Sequence, residues 1–183
     1  ERDFIQTEKL HSKYFTLLPK GWKAIPVDQP TKPGEGDWAE HTPHRVVVET
    51  LKRYFEEEDY NIVMKYYQIG DSVYDLYADE SLEEDTQTVI GEIEMDDNDH
   101  RGTMQDYHKM AARNGAKSLW VFQTKSEAKA TVNKILDELD EDQLTSEETR
   151  TITNMNEALE ERSLPGLNEV MTYHKLKQEV NSV

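Results

Sequence analysis

The chain has 183 residues, 38 acidic against 21 basic side chains, a formal charge of −17 and no cysteine. A pI near 4.7 excludes a wholly basic nucleic-acid coat, and the lack of thiols excludes disulfides, thiol catalysis and Cys-based zinc sites. The length suits one ordinary core, and nine Tyr, three Trp and four Phe argue for a packed interior despite only 36% hydrophobic residues.

No apolar run approaches the roughly 18 to 20 residues that span a bilayer, and the segment after Glu1 has neither a charged nor an apolar leader region. A cytoplasmic protein without a membrane partner is therefore expected. Residues 1–43 read as an arm. A short helix is predicted around Phe4–Leu18, followed by a stretch whose Pro26, Pro30, Pro33, Gly34 and Gly36 forbid long regular elements. The core is expected over residues 44–139. His44–Glu58 spaces Val47, Val48, Leu51, Tyr54 and Phe55 as one helical stripe. Asn61–Ile69 and Ser72–Ala78 are β-branched and aromatic, and Gly70-Asp71 marks a hairpin between them. Thr86–Met95 alternates as a third strand, Thr103–Asn114 reads as a helix stopped by Gly115, Lys117–Thr124 as a buried strand and Ser126–Leu139 as a helix. Residues 140–183 read as a helical hairpin. Its first helix has a capping box at Thr145 and Glu148, Leu164-Pro165-Gly166-Leu167 breaks it, and Asn168–Val180 forms the second. The apolar stripes of this hairpin (Ile152, Met155, Leu159; Val170, Met171, Leu176) must dock on the core or on another subunit, so a homodimer through the C-terminal helices is one expectation.

Chemistry is most legible in the second and third strands. Alternation puts Glu92 and Glu94 on one face, about 7 Å apart. Asp75 sits between Tyr74 and Leu76, where a charge is costly unless paired or bound to a cation. If the two strands are neighbours, Asp75 and Glu92 converge on one hard divalent ion. Mg²⁺ or Mn²⁺ suits them, because one or two carboxylates, water and a substrate phosphate complete its shell. The competing readings are a buried salt bridge for Asp75 and a solvated acidic edge for Glu92 and Glu94. The histidines show no zinc spacing, so surface or capping roles are expected of them.

This pattern resembles the PD-(D/E)xK nuclease superfamily over roughly residues 44–139: a first helix, a three-stranded meander, an Asp in its second strand, an acidic tripeptide in its third, then helix, buried strand and helix. The resemblance implies an α/β, restriction-endonuclease-like core, with a central mixed four-stranded sheet flanked by helices and followed here by the C-terminal helical hairpin. It implies Asp75 and Glu92 as metal ligands, with Glu49 on the first helix as an auxiliary acid. Glu94 stands where most members carry the catalytic Lys. A carboxylate there accepts a proton from the attacking water or holds a second metal, and Lys65 on the first strand is a candidate for the displaced positive charge. Gln105 and Lys109 match positions that many members use on the phosphate backbone.

A net charge of −17 opposes DNA, but its distribution is uneven. Residues 100–135 hold seven bases, including Arg101, Lys109 and Arg113, against Asp106 and Glu127, a local +5. Arg101 and Arg113 join Gln105 and Lys109 as candidate DNA contacts. The leading expectation is a Mg²⁺- or Mn²⁺-dependent DNA endonuclease. The alternatives are a catalytically inactive nuclease-fold protein that binds DNA or a protein partner, and an oligomeric structural protein.

Overall fold

The computed structural model describes residues 5–9, 13–17, 42–80, 87–95 and 100–180. Two short strands come first, β1 (Ile5–Lys9) and β2 (Lys13–Leu17), paired antiparallel from Ile5↔Leu17 to Lys9↔Lys13. They replace the helix predicted over Phe4–Leu18. Ile5, Thr7, Tyr14, Phe15 and Thr16 are strand-favouring types, and pairing across a three-residue connection outweighs the weak helical periodicity. The Pro/Gly-rich remainder of the arm, like the acidic blocks at 81–86 and 96–99, lies outside the described residues.

The helix α1 (Thr42–Glu57) follows, then a meander of β3 (Ile62–Ile69), β4 (Ser72–Asp79) and β5 (Thr88–Glu94). Next come α2 (His100–Ala111), β6 (Ala116–Phe122) and α3 (Lys125–Glu138). The chain ends in α4 (Ile152–Arg162), β7 (Glu169–Thr172) and α5 (Tyr173–Val180). The sheet has five strands in the order β3-β4-β5-β6-β7, antiparallel through β5 and parallel from β5 to β7.

Two predictions are corrected here. The expected four-stranded sheet gains a fifth strand, and that strand comes from what the sequence marks as the second helix of the C-terminal hairpin. Glu169–Thr172 pairs in parallel with Leu119–Phe122, and only Tyr173–Val180 is helical. The Thr145–Glu148 box does form, with Glu148 N–H donating to Thr145 Oγ1 at 3.3 Å and Thr145 N–H to Glu148 Oε2 at 2.7 Å. It closes a single turn, however. The helix proper starts after Thr151, whose Oγ1 accepts from Asn154 N–H at 3.0 Å.

The sheet is covered on both faces. One face buries Val47, Val48, Leu51 and Phe55 of α1 and Leu176 of α5 against Leu76, Val89, Ile93, Leu119, Val121 and Met171. The other buries residues of α2, α3 and α4, among them Met110, Val132, Ile135, Met155 and Leu159, against Ile90, Trp120, Phe122 and Val170. Successive residues of β6 and β7 thus go to opposite layers, which explains the unbroken apolar run Leu119–Phe122. Gly91 lets α1 settle close to the sheet, since a Cβ there would lie 3.1 Å from both Leu51 Cδ2 and Leu76 Cβ. Of the two fates open to the C-terminal stripes, docking on the core is the one realised: Met155, Leu159, Val170, Met171 and Leu176 are all buried within this chain. Among the described residues no helix is long and apolar enough to cross a membrane.

Candidate active site

Because β5, β6 and β7 run parallel, the helices that follow them, α2, α3 and α5, all start at the carboxyl edge of the sheet. The positive ends of their dipoles point to that edge, with Thr124 and Thr172 side chains capping the first turns of α3 and α5. Three acids sit near it. Asp75, Glu92 and Glu94 are 8%, 7% and 4% exposed, unusual values for carboxylates.

Asp75 reaches this position through a break in strand alternation. The β3–β4 register passes from Lys65↔Leu76 to Tyr67↔Tyr74 and omits the Tyr66–Asp75 step. Leu76 packs in the α1 layer and Tyr74 in the opposite layer, although residues two apart in a regular strand share a face. Tyr66 has φ +50°, a left-handed conformation that costs a bulky side chain about 1 kcal/mol or more. The pairing resumes in the same register, so no residue is inserted, and the irregularity leaves Asp75 outside the β3–β4 ladder. The β4–β5 ladder runs from Asp79↔Thr88 only to Leu76↔Gly91. Beyond it, Asp75 Oδ2 accepts the Ile93 N–H at 2.8 Å and lies 3.1 Å from His44 Nε2. Both contacts fall on Oδ2, and among the described residues Oδ1 takes no hydrogen bond.

Glu92 leaves the strand toward α2, where the Lys109 ammonium lies 2.8 Å from its Oε2 and 3.0 Å from Asp106 Oδ1. The Lys109 ammonium stands 5.6 Å from the centre of the Tyr74 ring, and the Tyr74 hydroxyl donates to the Lys109 carbonyl at 3.2 Å. Burial pushes the Glu92 carboxyl well above the usual range, and the negative charge of Asp75 pushes it further; Lys109 opposes both without cancelling them. For Lys109, burial favours the neutral amine, but Glu92 and Asp106 outweigh it and hold the ammonium above the ordinary lysine value. The site is therefore a close pair of buried carboxylates, of which Glu92 is balanced by one captive cation.

The predicted residues are distributed as follows. Asp75 and Glu92 come together, near enough for the charge of one to perturb the other. Glu94 is buried on the Glu92 face of β5. Glu49 and Lys65 bond to each other instead, Nζ to Oε2 at 2.6 Å across α1 and β3. That hydrogen bond is the main reason the Glu49 carboxyl lies below its usual range, with burial opposing it. Arg101, Gln105 and Arg113 are exposed on α2 and the turn after it, whereas Lys109, expected at that surface, turns inward. His44 is not the surface or capping residue anticipated. It precedes Val47, Val48 and Leu51 by three, four and seven residues and so belongs to the stripe that α1 turns to the sheet. That spacing was the signal that could have found it.

Oxygen-only donors suit Mg²⁺ or Mn²⁺, and two adjacent carboxylates are what such an ion takes from a protein when water and phosphate supply the rest. Among the described residues no group of three or more His, Asp or Glu side chains stands in metal-ligand geometry. Compared with known proteins, the chain matches no family model, no curated protein and no solved structure.

Proposed function

We propose that the protein is a metal-dependent nuclease with a restriction-endonuclease-like core of the PD-(D/E)xK kind, acting on DNA. The observation that carries this reading is the buried Asp75–Glu92 pair with the Lys109 ammonium 2.8 Å from Glu92. Two like charges held together in a poorly solvated place cost stability, a cost expected where a cation or a reaction makes use of them. The order of helix, meander, helix, parallel strand and helix around the pair supports the same reading.

Mg²⁺ or Mn²⁺ held by Asp75 and Glu92 would polarise a phosphoryl oxygen and lower the pKa of a bound water. Asp75 is oriented for this by the Ile93 N–H, which holds Oδ2 in place while Oδ1 remains for a cation. Lys109, rather than Lys65, supplies the positive charge that the superfamily motif carries two residues after its acid. It approaches the same spot from α2, where Asp106 and the Tyr74 ring restrict it. Glu94 is the candidate acceptor for the proton of the attacking water. Arg101 and Gln105 lie exposed on the first half of α2, Arg113 lies in the turn beyond its end, and the helix N-termini at the carboxyl edge favour an anion.

A second reading, that the same fold binds DNA or a protein partner without cleaving, is favoured by Glu94 in the motif Lys position and by Lys109 already neutralising Glu92. One experiment separates them: Mn²⁺ titration of the wild type, Asp75→Asn and Glu92→Gln, followed by thermal unfolding and by nicking of supercoiled plasmid. The nuclease reading expects metal-dependent stabilisation and nicking in the wild type, both lost in the variants. Absence of both in the wild type sinks it, and a DNA gel shift that survives EDTA would then select the binding reading.

A further inference from the structure

At the other end of the sheet, near the amino ends of β5 and β6, the last turn of α1 forms a small niche of about 100 Å³ against the sheet. Its walls are aromatic. Phe55 stands edge-to-face with Tyr54 at a centroid distance of 5.2 Å and 72°, and with Tyr60 at 4.8 Å and 81°, so three rings meet nearly at right angles. Val89, Leu119 and Met171 add aliphatic lining, and Glu58 and Glu169 complete it together with Lys117, which is paired to Glu169 at 2.7 Å. Lys117 and Glu169 also border a trough of about 750 Å³, so this ion pair stands between the niche and a larger polar space.

The electrostatics of the niche point one way. The Tyr60 hydroxyl is pushed up to about 12, by burial first and then by Glu80 and neighbouring charges including Glu58. The Tyr54 hydroxyl is raised by burial and then by Glu58, Glu169 and Glu179. Both phenols stay neutral, and of the charged groups that line the niche Glu169 is paired with Lys117 while Glu58 adds a further negative charge. Ring faces set at right angles under a negative potential attract a cation through the ring quadrupole. They favour one whose charge is spread over methyl groups, because it loses little hydration on entry. An anion would meet the Glu58 and Glu169 carboxylates, and a bare metal ion would find ring faces where it needs oxygen ligands.

We propose that this niche receives a methylated ammonium group, carried by a small amine or by a methylated lysine side chain of a partner, with the remainder of the ligand lying in the trough beyond Lys117. The test titrates the full chain with choline chloride and with its uncharged isostere 3,3-dimethyl-1-butanol at matched ionic strength, reading tyrosine ring chemical shifts. Choline is expected to saturate and to bind at least about tenfold tighter than the isostere. Tyr60→Leu is expected to abolish binding. Glu58→Gln, at an exposed position that leaves the core untouched, is expected to weaken it severalfold. A trimethyllysine peptide that binds more tightly than choline assigns the group to a protein partner; one that binds no better assigns it to a free amine. Equal binding of choline and its isostere, or no saturation by either choline or the peptide, overturns the proposal.

Discussion

Replacing Lys109 by Met keeps the unbranched apolar stem, one atom shorter, and removes the charge and donors. The ammonium lies 2.8 Å from Glu92 and 3.0 Å from Asp106, with Lys109 and Glu92 only 15% and 10% exposed along their side chains. Removing one member of such a pair leaves a buried charge uncompensated, at a cost of about 3 to 5 kcal/mol. Glu92 has one escape, which is to take up a proton, and above its pKa that costs about 1.4 kcal/mol per pH unit. The folded pKa of Glu92 already lies above its unfolded value. The stability this group contributes is thus fully present below the unfolded value, about 4.5, and is lost as pH rises through the folded one. Losing Lys109 raises the folded value further and steepens that fall. Urea unfolding is expected to show a loss of roughly 3 kcal/mol or more near pH 8, shrinking to about 1 kcal/mol near pH 5. The added change Glu92→Gln should recover most of the loss at pH 8, because a neutral side chain needs no counter-charge. A loss that is the same at both pH values, or a double variant no better than Lys109→Met alone, would refute the account.

Gly166→Ala tests the packing of the loop between α4 and β7. Gly166 has φ +77°, a Cβ there would lie 2.4 Å from the Ala111 backbone nitrogen, and its carbonyl accepts the buried Trp120 indole N–H at 2.8 Å. A loss of about 2 to 3 kcal/mol in denaturant unfolding is expected, and an unchanged midpoint would show that the loop is not clamped there. Glu148 is held down to about 2, first by the Thr145 backbone N–H and then by Arg162. Its contribution is present above the unfolded pKa and lost as pH falls from about 4.5 toward 2; because the pair is partly exposed and screened by solvent, less than about 1 kcal/mol is expected. Glu148→Gln should flatten the acid limb of the stability–pH curve by that amount, and superimposable curves would exclude the effect.

Much of the site was legible because it depends on local periodicity. The stripe Val47–Phe55, the meander of Asn61–Met95 and the apolar run Leu119–Phe122 each carry their period in consecutive residues, and the corresponding elements form within a few residues of the expected bounds. Strand alternation also placed Glu92 and Glu94 on one face, and the cost of a charge between Tyr74 and Leu76 marked Asp75. His44 was legible in principle, from its place in the α1 stripe.

What the tertiary structure alone decided is non-local. Four residues are too few to carry a period, so Glu169–Thr172 becomes a strand only because β6 offers an edge to pair with. Ile5–Leu17 likewise takes the form that its pairing allows. The step at Tyr66 and Asp75 is a break in the pairing of two strands, and no single strand contains both. Lys109 could have pointed to solvent or to the sheet; α2 packs against the sheet through Met104, Tyr107 and Met110, and that packing brings its ammonium to the buried Glu92. Residue types and spacing therefore determined which acids this protein keeps in its strands, while the packing of helices on the sheet determined which cations answer them.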